Sequence, residues 1–523
     1  MSRTSFSITL ATVLVLVVAS FSVPLPVDAA TTMVSGDVSG TWTVDGSPYL
    51  IGGDITVPAG QTLTIAPGVE VLFESWYKLT VNGTLLAEGT AESPILFTGT
   101  HPTAGWLGIR LINASDASRL TYVVIEKGRA TGAAPLNVGG GLYIENSSPT
   151  ISFSTFRDNY ATTSGGGIYL TGSNAVLSDN VLANNSVSTG GSGFGGGIYM
   201  VDSNPELTHN LIAGNRVYVS GSYSTPTGLG GGLYARRSSP VLRYNVIRDN
   251  VVDAHLNSHA RGGGLYFYFG APDLIHNTIT GNSVTETTAA YDREGGGIYL
   301  YGSNLTLVNN ILWNDTPQEL FVGDFATLTL AYSDVQGGQA GVAIEGSPTV
   351  NDAGGNLDAD PLFVDATNGD VQLQAASPAI DAGTAFFEWQ GRVLLDLAPG
   401  QYAGAAPDMG AFESAVSIER HMHVQDQVVT RVASRRRATA LDTVLIADQD
   451  HVPLAGALVT ARYWGPSQGQ VSGTTGADGT VVLETNRVRK PEGVWCFEVL
   501  DVSKDGYVYD PGANVVTVQC ESN

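Results

Sequence analysis

The amino-acid sequence predicts an all-β protein in which a long parallel β-helix is followed by a small β-sandwich. Three observations lead to this fold class. Three glycines, an aliphatic residue and a tyrosine recur six times between Gly139 and Tyr299. The chain contains 64 glycines but only 14% charged residues, which favours turns over helices and disfavours a disordered polyelectrolyte. After Glu413 the repeat stops, and short alternating segments separated by turn residues take its place.

The first thirty residues have the features of a secretory signal peptide. Arg3 precedes an apolar run from Ile8 to Val18, and small residues follow up to Ala30. We therefore predict a signal peptide over residues 1–30; the alternative is an apolar helix that remains as a membrane anchor. No later apolar run reaches the ~20 residues that span a bilayer. We expect a protein that is secreted or held at the cell surface, with no membrane span after signal cleavage.

The six copies define a repeat whose core has constant length. Each run of glycines is followed fifteen residues later by Ser154, Asn180, Asn210, Asn245, Asn277 or Asn310, and five residues further by Asn159, Asn185, Asn215, Asn250, Asn282 or Asp315. The segment that leads back to the next glycines varies from five to fourteen residues. A constant core with length variation at one corner is typical of stacked coils that carry loops on one side.

Within each copy, apolar residues alternate with the period of two that a strand requires. The residues on both sides of the tyrosine form one apolar column, and further columns begin at Ile151 and Phe156. Three short strands per coil that send these columns inward give a parallel β-helix. A helical repeat is disfavoured because copies rich in glycine and β-branched residues have poor helix propensity.

Five asparagines, one in each of the last five copies, are predicted to be buried corner residues with a structural role. They are Asn180, Asn210, Asn245, Asn277 and Asn310. Asparagine tolerates left-handed backbone at a corner, and its amide can bond to the equivalent amide one coil away. We expect each asparagine to make two hydrogen bonds between coils.

The repeat resembles known families. GGG[IL]Y followed by Phe156-x-x-Asn159 or Ile212-x-x-Asn215 resembles the repeat of polymorphic outer-membrane proteins, and more broadly the right-handed parallel β-helices of the pectate-lyase-like superfamily. TVPAGQTLTIAPGVEVLF from Thr56 is similar to the opening coils of such secreted proteins, and GNLDADPLFVD from Gly355 and PDMGAFE from Pro407 resemble their closing segment. The resemblance implies a right-handed β-helix, which we place at 31–415. It implies no single activity, because this fold hosts lyases, hydrolases and adhesins.

Residues 416–523 are predicted to form an immunoglobulin- or transthyretin-like β-sandwich that serves as an accessory domain. DTVLIADQ, GALVTARYW, GTVVLET and WCFEVLDV read as alternating strands. Cys496 and Cys520 are the two cysteines of the chain, and outside the cytoplasm they can form a disulfide; the alternative is two unpaired small hydrophobic residues. Arg435–Arg437 are either a patch for acidic polysaccharide or a solvated strand edge.

The net charge of −24 disfavours nucleic acid and anionic membrane surfaces as partners. The partner that we expect instead is an extracellular polysaccharide or a cell-surface glycan. The sequence leaves the oligomeric state open.

A line of tyrosines is the main candidate for a binding groove. Strands in stacked coils lie about 4.8 Å apart, so Tyr143, Tyr169, Tyr199, Tyr234, Tyr266 and Tyr299 should form an outward ladder. Arg236, Tyr268 and Tyr301, two residues further along, point the same way. The variable segments at 186–194, 216–229, 251–261 and 283–294 should form a wall beside this ladder. Flat aromatic rings suit sugar rings; the alternative is that the tyrosines stack for stability and the segments roof them.

Candidate catalytic residues lie in two of the variable segments. Asp253, His255 and His259 come from one segment, and Asp292 and Glu294 from the next. Two carboxylates at suitable separation would support glycoside hydrolysis. The paired-aspartate pattern of polygalacturonases and the arginine–calcium set of pectate lyases, which the resemblance would imply, are not found in the sequence.

No cofactor is predicted, apart from calcium as a candidate at Asp365 and Asp370. The segment DATNGD has the acidic composition of a calcium loop, although it lacks the full ligand series. Zinc and iron–sulfur sites are disfavoured because two cysteines at this spacing cannot build them.

The sequence therefore predicts a secreted or surface β-helix protein whose tyrosine-lined groove binds or degrades extracellular polysaccharide. If it is an enzyme, a polysaccharide lyase or a glycoside hydrolase is expected. The alternative function is that of a non-catalytic adhesion protein or a structural stalk.

Overall fold

The computed structural model describes residues 31–101, 105–221, 226–255, 258–286, 293–414, 420–434, 436–449, 451–504 and 507–521. The predicted signal peptide lies outside the described residues. Parallel strands stack coil upon coil on three faces, here called face 1, face 2 and face 3 in the order in which each coil visits them. The predicted parallel β-helix is confirmed.

The glycine–tyrosine strands form face 1. Its strands are Leu79–Val81, Ile109–Ile112, Leu142–Glu145, Ile168–Thr171, Ile198–Val201, Leu233–Arg236, Leu265–Tyr268, Ile298–Tyr301, Leu320–Val322 and Val342–Ile344. Face 2 comprises Gly40–Trp42, Thr62–Ile65, Thr84–Glu88, Arg119–Thr121, Thr150–Ser152, Val176–Ser178, Glu206–Thr208, Val241–Arg243, Asp273–Ile275, Asn304–Val308, Thr327–Ala331 and Thr349–Asp352. Face 3 comprises Glu70–Phe73, Ile95–Gly99, Val123–Glu126, Thr155–Arg157, Val181–Ala183, Leu211–Ala213, Val246–Arg248, Thr278–Thr280, Ile311–Trp313 and Asp334–Val335.

Two strands, Thr32–Asp37 and Tyr49–Val57, open the stack. Tyr49–Val57 pairs with strands of both face 3 and face 1, which joins these two faces into one 22-stranded sheet. The predicted apolar columns point inward and fill one continuous core; Ile168, Leu170 and Leu182, for example, are fully buried. Because the copies pair in register, each column contacts its equivalent one coil away.

The predicted asparagine ladder runs along the corner between face 2 and face 3, where its members are buried. The Asn245 Oδ1 accepts from the backbone N–H and the Nδ2 of Asn210, and the Asn245 Nδ2 donates to Asn277 Oδ1 and to the carbonyl of Leu207. An interior ladder residue thus makes four side-chain bonds between coils, not the predicted two. A second ladder of the same kind follows face 3, from Asn159 to Asn282.

The left-handed backbone at this corner lies one residue earlier than predicted. His209, Tyr244 and His276 have φ of 55°, 56° and 54°, while the asparagines that follow them are not left-handed. The expectation that the asparagines themselves adopt left-handed backbone is therefore wrong. Each asparagine amide bonds along the helix axis, and the preceding residue makes the turn.

The variable segments are not open loops where the structure describes them, because they form two further layers of parallel strands. We call these layers the lobe. Its outer layer is Arg129–Ala130, Tyr160–Ala161, Ser186–Thr189, Arg216–Ser220, Val251–His255 and Ser283–Glu286, and its inner layer is Gly193–Phe194, Thr227–Leu229, His259–Arg261 and Arg293–Glu294. Small apolar residues such as Ala161, Val217 and Ala260 pack together as the core of the lobe. The segments align with one another as predicted, but their inner layer lies over the face 1 tyrosines and does not form a wall beside them.

Residues 359–414, here called the return segment, pack along the outside of the coils instead of adding further coils. They include the antiparallel pairs Phe363–Asp365 with Asp370–Leu373 and Phe386–Trp389 with Arg392–Asp396. Arg392 forms a two-bond ion pair with Asp273 on face 2, and Phe387 and Leu395 pack on Ile275 and Val308. The segment therefore covers an outer side of the coils.

Two sheets form the predicted sandwich, and their strands are antiparallel except for the parallel pair of Arg420–Ser434 with Tyr507–Tyr509. One contains Thr480–Glu484, Arg437–Asp448, Arg420–Ser434 and Tyr507–Tyr509, with Val488–Arg489 paired to Arg437–Asp448. The other contains Gly469–Thr474, Leu458–Trp464, Cys496–Ser503 and Gln519–Cys520. The predicted Cys496–Cys520 disulfide is confirmed and ties the last strand to its neighbour.

The helices that the structure describes are four short 3-10 turns, Val44–Gly46, Gly338–Gly341, Ala366–Asn368 and Pro511–Ala513. Within the described ranges, none is long and apolar enough to cross a membrane.

Candidate functional site

The tyrosines of face 1 form a continuous stack, as their spacing predicts. From Tyr143 to Tyr299 the ring centroids of neighbours are 4.8 to 5.3 Å apart, and the rings are close to parallel. The guanidinium of Arg110 lies over the Tyr143 ring at one end, and Phe321 stacks on Tyr299 at the other. The ring faces along the ladder are therefore occupied by other side chains.

The inner layer of the lobe roofs this stack. Phe194 lies against the rings of Tyr199 and Tyr234, Leu229 packs in the same cluster, and the Arg261 guanidinium lies 5.2 Å from the Tyr299 ring centroid. Burial raises the pKa of Tyr169 to about 12, and it also raises the pKa of the other tyrosines of the stack. The hydroxyls are neutral and shielded.

The prediction that these rings form the open floor of a groove is therefore wrong for most of the ladder. Tyr143, Tyr199, Tyr234, Tyr266 and Tyr299 are between 1% and 8% exposed, and Tyr169 is half-buried. The period of two placed the rings on the outer side of the strand, which is correct. The roof buries them because the variable segments fold back over them as strands.

The second column of face 1, which follows the tyrosines, stays accessible where the roof does not reach. Arg236 is exposed, and Tyr268 and Tyr301 are half-buried, with their rings stacked at 5.6 Å. Phe269 and Phe325 lie edge-on against the Tyr301 ring, at 5.7 and 6.2 Å. We call Tyr268, Phe269, Tyr301 and Phe325 the aromatic patch.

The two phenylalanines of the patch were missed in the sequence, although they are its most exposed members. Phe269 is 45% exposed and Phe325 75% exposed, and both have left-handed backbone, with φ of 51° and 59°. Bulky residues rarely adopt this conformation, and such strain is often found at functional sites. The sequence did contain a signal for Phe269, because this bulky residue occupies the corner position that Gly302 holds in the next coil. The Phe269 ring lies where a Gly302 side chain would be.

The candidate acid–base residues separate into the two layers of the lobe. In the outer layer, Asp253 pairs with Arg216, and its Oδ1 lies 3.5 Å from His255 Nε2. In the inner layer, the Glu294 Oε2 accepts a 2.6 Å bond from Arg261 Nε, and His259 is paired in register with Thr227. Asp292 lies outside the described residues. The structure thus brings Asp253 and His255 together but places Glu294 on another layer.

Arginine and aromatic side chains surround Asp253 and His255. The Arg216 guanidinium lies 5.4 Å from the centre of the Tyr218 ring, and the Tyr218 ring lies 5.0 Å from that of His255. This cluster forms an ion-pair and ring network on the outer layer of the lobe. Its carboxylate is already paired with a guanidinium, which does not match the two free carboxyl groups of a glycoside hydrolase.

The calcium candidates form a capped turn. Asp365 Oδ1 accepts from the backbone N–H of Asn368 and its Oδ2 from Asn368 Nδ2, while Asp370 Oδ1 accepts from the N–H of Gln372. These local bonds account for the acidic composition of the turn. Over the ranges that the structure describes, no group of three or more His, Cys, Asp or Glu side chains is arranged to hold a metal ion.

Comparison with known proteins supports the fold that the coils show. Residues 106–312 match the family model described as a right handed beta helix region. This segment is a right-handed β-helix region. The matched residues include all six glycine–tyrosine strands and both asparagine ladders. The parallel pairing of its coils agrees with the match.

The other comparisons give little beyond the β-helix region. A stretch of 54 residues is 50% identical to Protein bark beetle of Drosophila melanogaster; it makes up 10% of this chain and 2% of that protein. The chain thus matches only a small part of that relative's length. No solved structure matches the chain.

Proposed function

We propose that this protein is exported and binds extracellular polysaccharide without cleaving it, and that the aromatic patch is the contact surface. The observation that carries the proposal is the exposure of Phe269 and Phe325 beside the half-buried Tyr268 and Tyr301. Exposed apolar clusters rimmed by polar groups mark interaction sites on soluble proteins. Aromatic rings offer sugars a flat apolar face, and tyrosine adds a hydroxyl at the rim.

The polar rim of the patch suits a carbohydrate. The exposed Arg236 lies 6.0 Å from the centre of the Tyr268 ring, and Arg237 with Asp202 forms an ion pair on the adjoining corner. These groups can donate to and accept from sugar hydroxyls. The stack of coils continues the surface along the helix axis, which suits a polymer more than a single sugar.

A binding role without cleavage is favoured by the state of the candidate acids. Asp253 and Glu294 are each engaged by an arginine, and they lie on different layers of the lobe. Neither belongs to the aromatic patch. A hydrolase would need two carboxyl groups facing one bound sugar.

The experiment is affinity gel electrophoresis against soluble β-glucan, xylan and galactomannan, with a reducing-sugar assay on the same samples. Phe325→Ala and Tyr301→Ala should each weaken binding about fivefold, as expected if each ring contributes ~1 kcal/mol. Phe153→Ala is the matched control, because Phe153 is 48% exposed with φ of 50° at a different corner. It should leave binding unchanged.

Two results of the binding measurement would contradict the proposal. One is wild-type protein that binds none of these polymers, which would favour the alternative function of a structural stalk. The other is an equal loss of binding in Phe153→Ala, which would show that the contact is not at the patch. Release of reducing sugar would replace the binding role with an enzymatic one.

A further inference from the structure

One end of the sandwich concentrates positive charge in a chain that is otherwise strongly acidic. Seven of the 25 lysines and arginines lie within 431–437 and 487–490, while the net charge of the chain is −24. Strand pairing between Arg437–Asp448 and Val488–Arg489 brings these two segments together. We call Arg431, Arg436, Arg437, Arg489 and Lys490 the basic end.

Four of the five residues of the basic end line a shallow depression of about 280 Å³. Arg431, Arg436, Arg437 and Lys490 contribute to its wall, and their side chains are exposed. The Arg436 carbonyl accepts from the backbone N–H of Lys490, which holds the two segments in contact. The depression is open to solvent, and an extended ligand can lie across it.

Arg431 is paired with the Glu521 carboxylate, but the other four cations of the basic end lack the carboxylate partners that arginines elsewhere in the chain have. Arg157, Arg237 and Arg462 are each paired with a carboxylate. Of the residues that the structure describes, no carboxylate lies within ion-pair distance of Arg436, Arg437, Arg489 or Lys490. Arg437 also stands directly opposite Arg489 in the antiparallel pair, and like charges in this position destabilise a sheet. A bound anion would remove that repulsion.

We propose that the basic end is a binding site for an anionic polysaccharide that carries a carboxylate on its sugars. Guanidinium groups bind carboxylates with two parallel hydrogen bonds, which favours arginine over lysine in such sites. Several cations spread over two strands suit a polymer with repeated charges. The site is separate from the aromatic patch, so the proposal does not depend on the function proposed there.

A uronate polymer fits this surface better than nucleic acid does. Single-stranded nucleic acid is held by aromatic rings on which its bases stack, and no aromatic side chain is among the described residues that line the depression. The nearby Trp495, which lies under Arg431, is fully buried.

The test is isothermal titration of the whole chain with polygalacturonate at 50 and 200 mM salt. The double variant Arg437→Gln/Arg489→Gln should bind at least tenfold more weakly, and its affinity should depend less on salt. The matched control is Arg462→Gln/Lys504→Gln, which removes the same charge from other parts of the sandwich and should bind as the wild type does. Polygalacturonate should also raise the melting temperature of the wild type and not that of the first variant.

Equal binding by the two double variants would overturn the proposal, since net charge alone would then explain the affinity. Tighter binding to single-stranded DNA or to phosphatidylserine vesicles than to polygalacturonate would overturn the assignment to polysaccharide. Neutral dextran should not bind at the basic end. The Phe325→Ala protein should retain polygalacturonate binding, which separates a failure here from a failure of the aromatic patch.

Discussion

Replacing Asn245 by alanine is a direct test of what holds the coils together. Asn245 is fully buried in the middle of the first asparagine ladder. Its side chain accepts two bonds from Asn210 and donates one each to Asn277 and to the Leu207 carbonyl. Alanine fits the backbone there, because the left-handed residue is Tyr244. The substitution therefore removes hydrogen bonds without straining the turn.

The expected loss follows from the groups that are left without a partner. The backbone N–H of Asn210 and the carbonyl of Leu207 lose their side-chain partners inside the protein. A buried polar group that loses its partner costs about 1–3 kcal/mol, and an ordinary net hydrogen bond contributes about 1 kcal/mol. We expect Asn245→Ala to lower the free energy of unfolding by roughly 3–6 kcal/mol.

Urea denaturation followed by circular dichroism measures this loss, and hydrogen exchange at the Asn210 amide locates it. The matched control is Asn204→Ala: Asn204 is exposed, and its Oδ1 accepts one bond between coils, from Ser239. That variant should lose less than about 1 kcal/mol, as most surface substitutions do. If both variants lose the same amount, or if exchange at Asn210 is unchanged, the ladder does not carry the stability assigned to it.

Three further predictions concern other parts of the chain. Burial raises the pKa of both Asp315 and Glu319, so the folded state holds protons that the unfolded state releases above about pH 4. The stability of the fold should therefore fall as the pH rises toward neutral. Asp315→Asn should raise the melting temperature more at pH 8 than at pH 5, and an equal shift at both pH values would contradict this. Tyr266→Ala should cost roughly 3–5 kcal/mol because its ring is buried in the stack, and Tyr266→Phe is the control that keeps the ring. Reducing the Cys496–Cys520 disulfide, which closes a separation of 24 residues, should destabilise the sandwich by about 3 kcal/mol, as judged by the Trp495 fluorescence transition.

The coils could be predicted from the sequence because their constraints repeat in every copy. The constant interval from Gly230 to Asn245, for example, recurs from Gly262 to Asn277. An interval that stays constant while the neighbouring segment changes length identifies the stacked part. The same argument located the asparagines, whose amides bond to the equivalent residue one coil away.

The burial of the tyrosines could not be predicted in this way. Their roof comes from Phe194, Leu229, Arg261 and Glu294, which stack on one another but share no chemical type. Segments that vary in length and composition show no period, so their strands are not visible in the sequence. The return segment was missed as an outer layer for the same reason, since its contacts with Asp273 and Asn309 join residues far apart in the chain.

The functional surface is best sought where a coil departs from its neighbours. The corner that follows face 1 carries Gly172, Asp202, Arg237, Phe269 and Gly302 in five successive coils. Stacking requires only that this position tolerate left-handed backbone, which glycine does at least cost. Phenylalanine at Phe269 satisfies that requirement poorly, and the glycine in the next coil leaves room for its ring. Left-handed backbone with an exposed ring does not by itself mark such a surface, since Phe153 has both features at another corner. Phe269 differs from Phe153 because it lies edge-on against both Tyr268 and Tyr301, and this grouping of rings is why we propose the ligand at the aromatic patch.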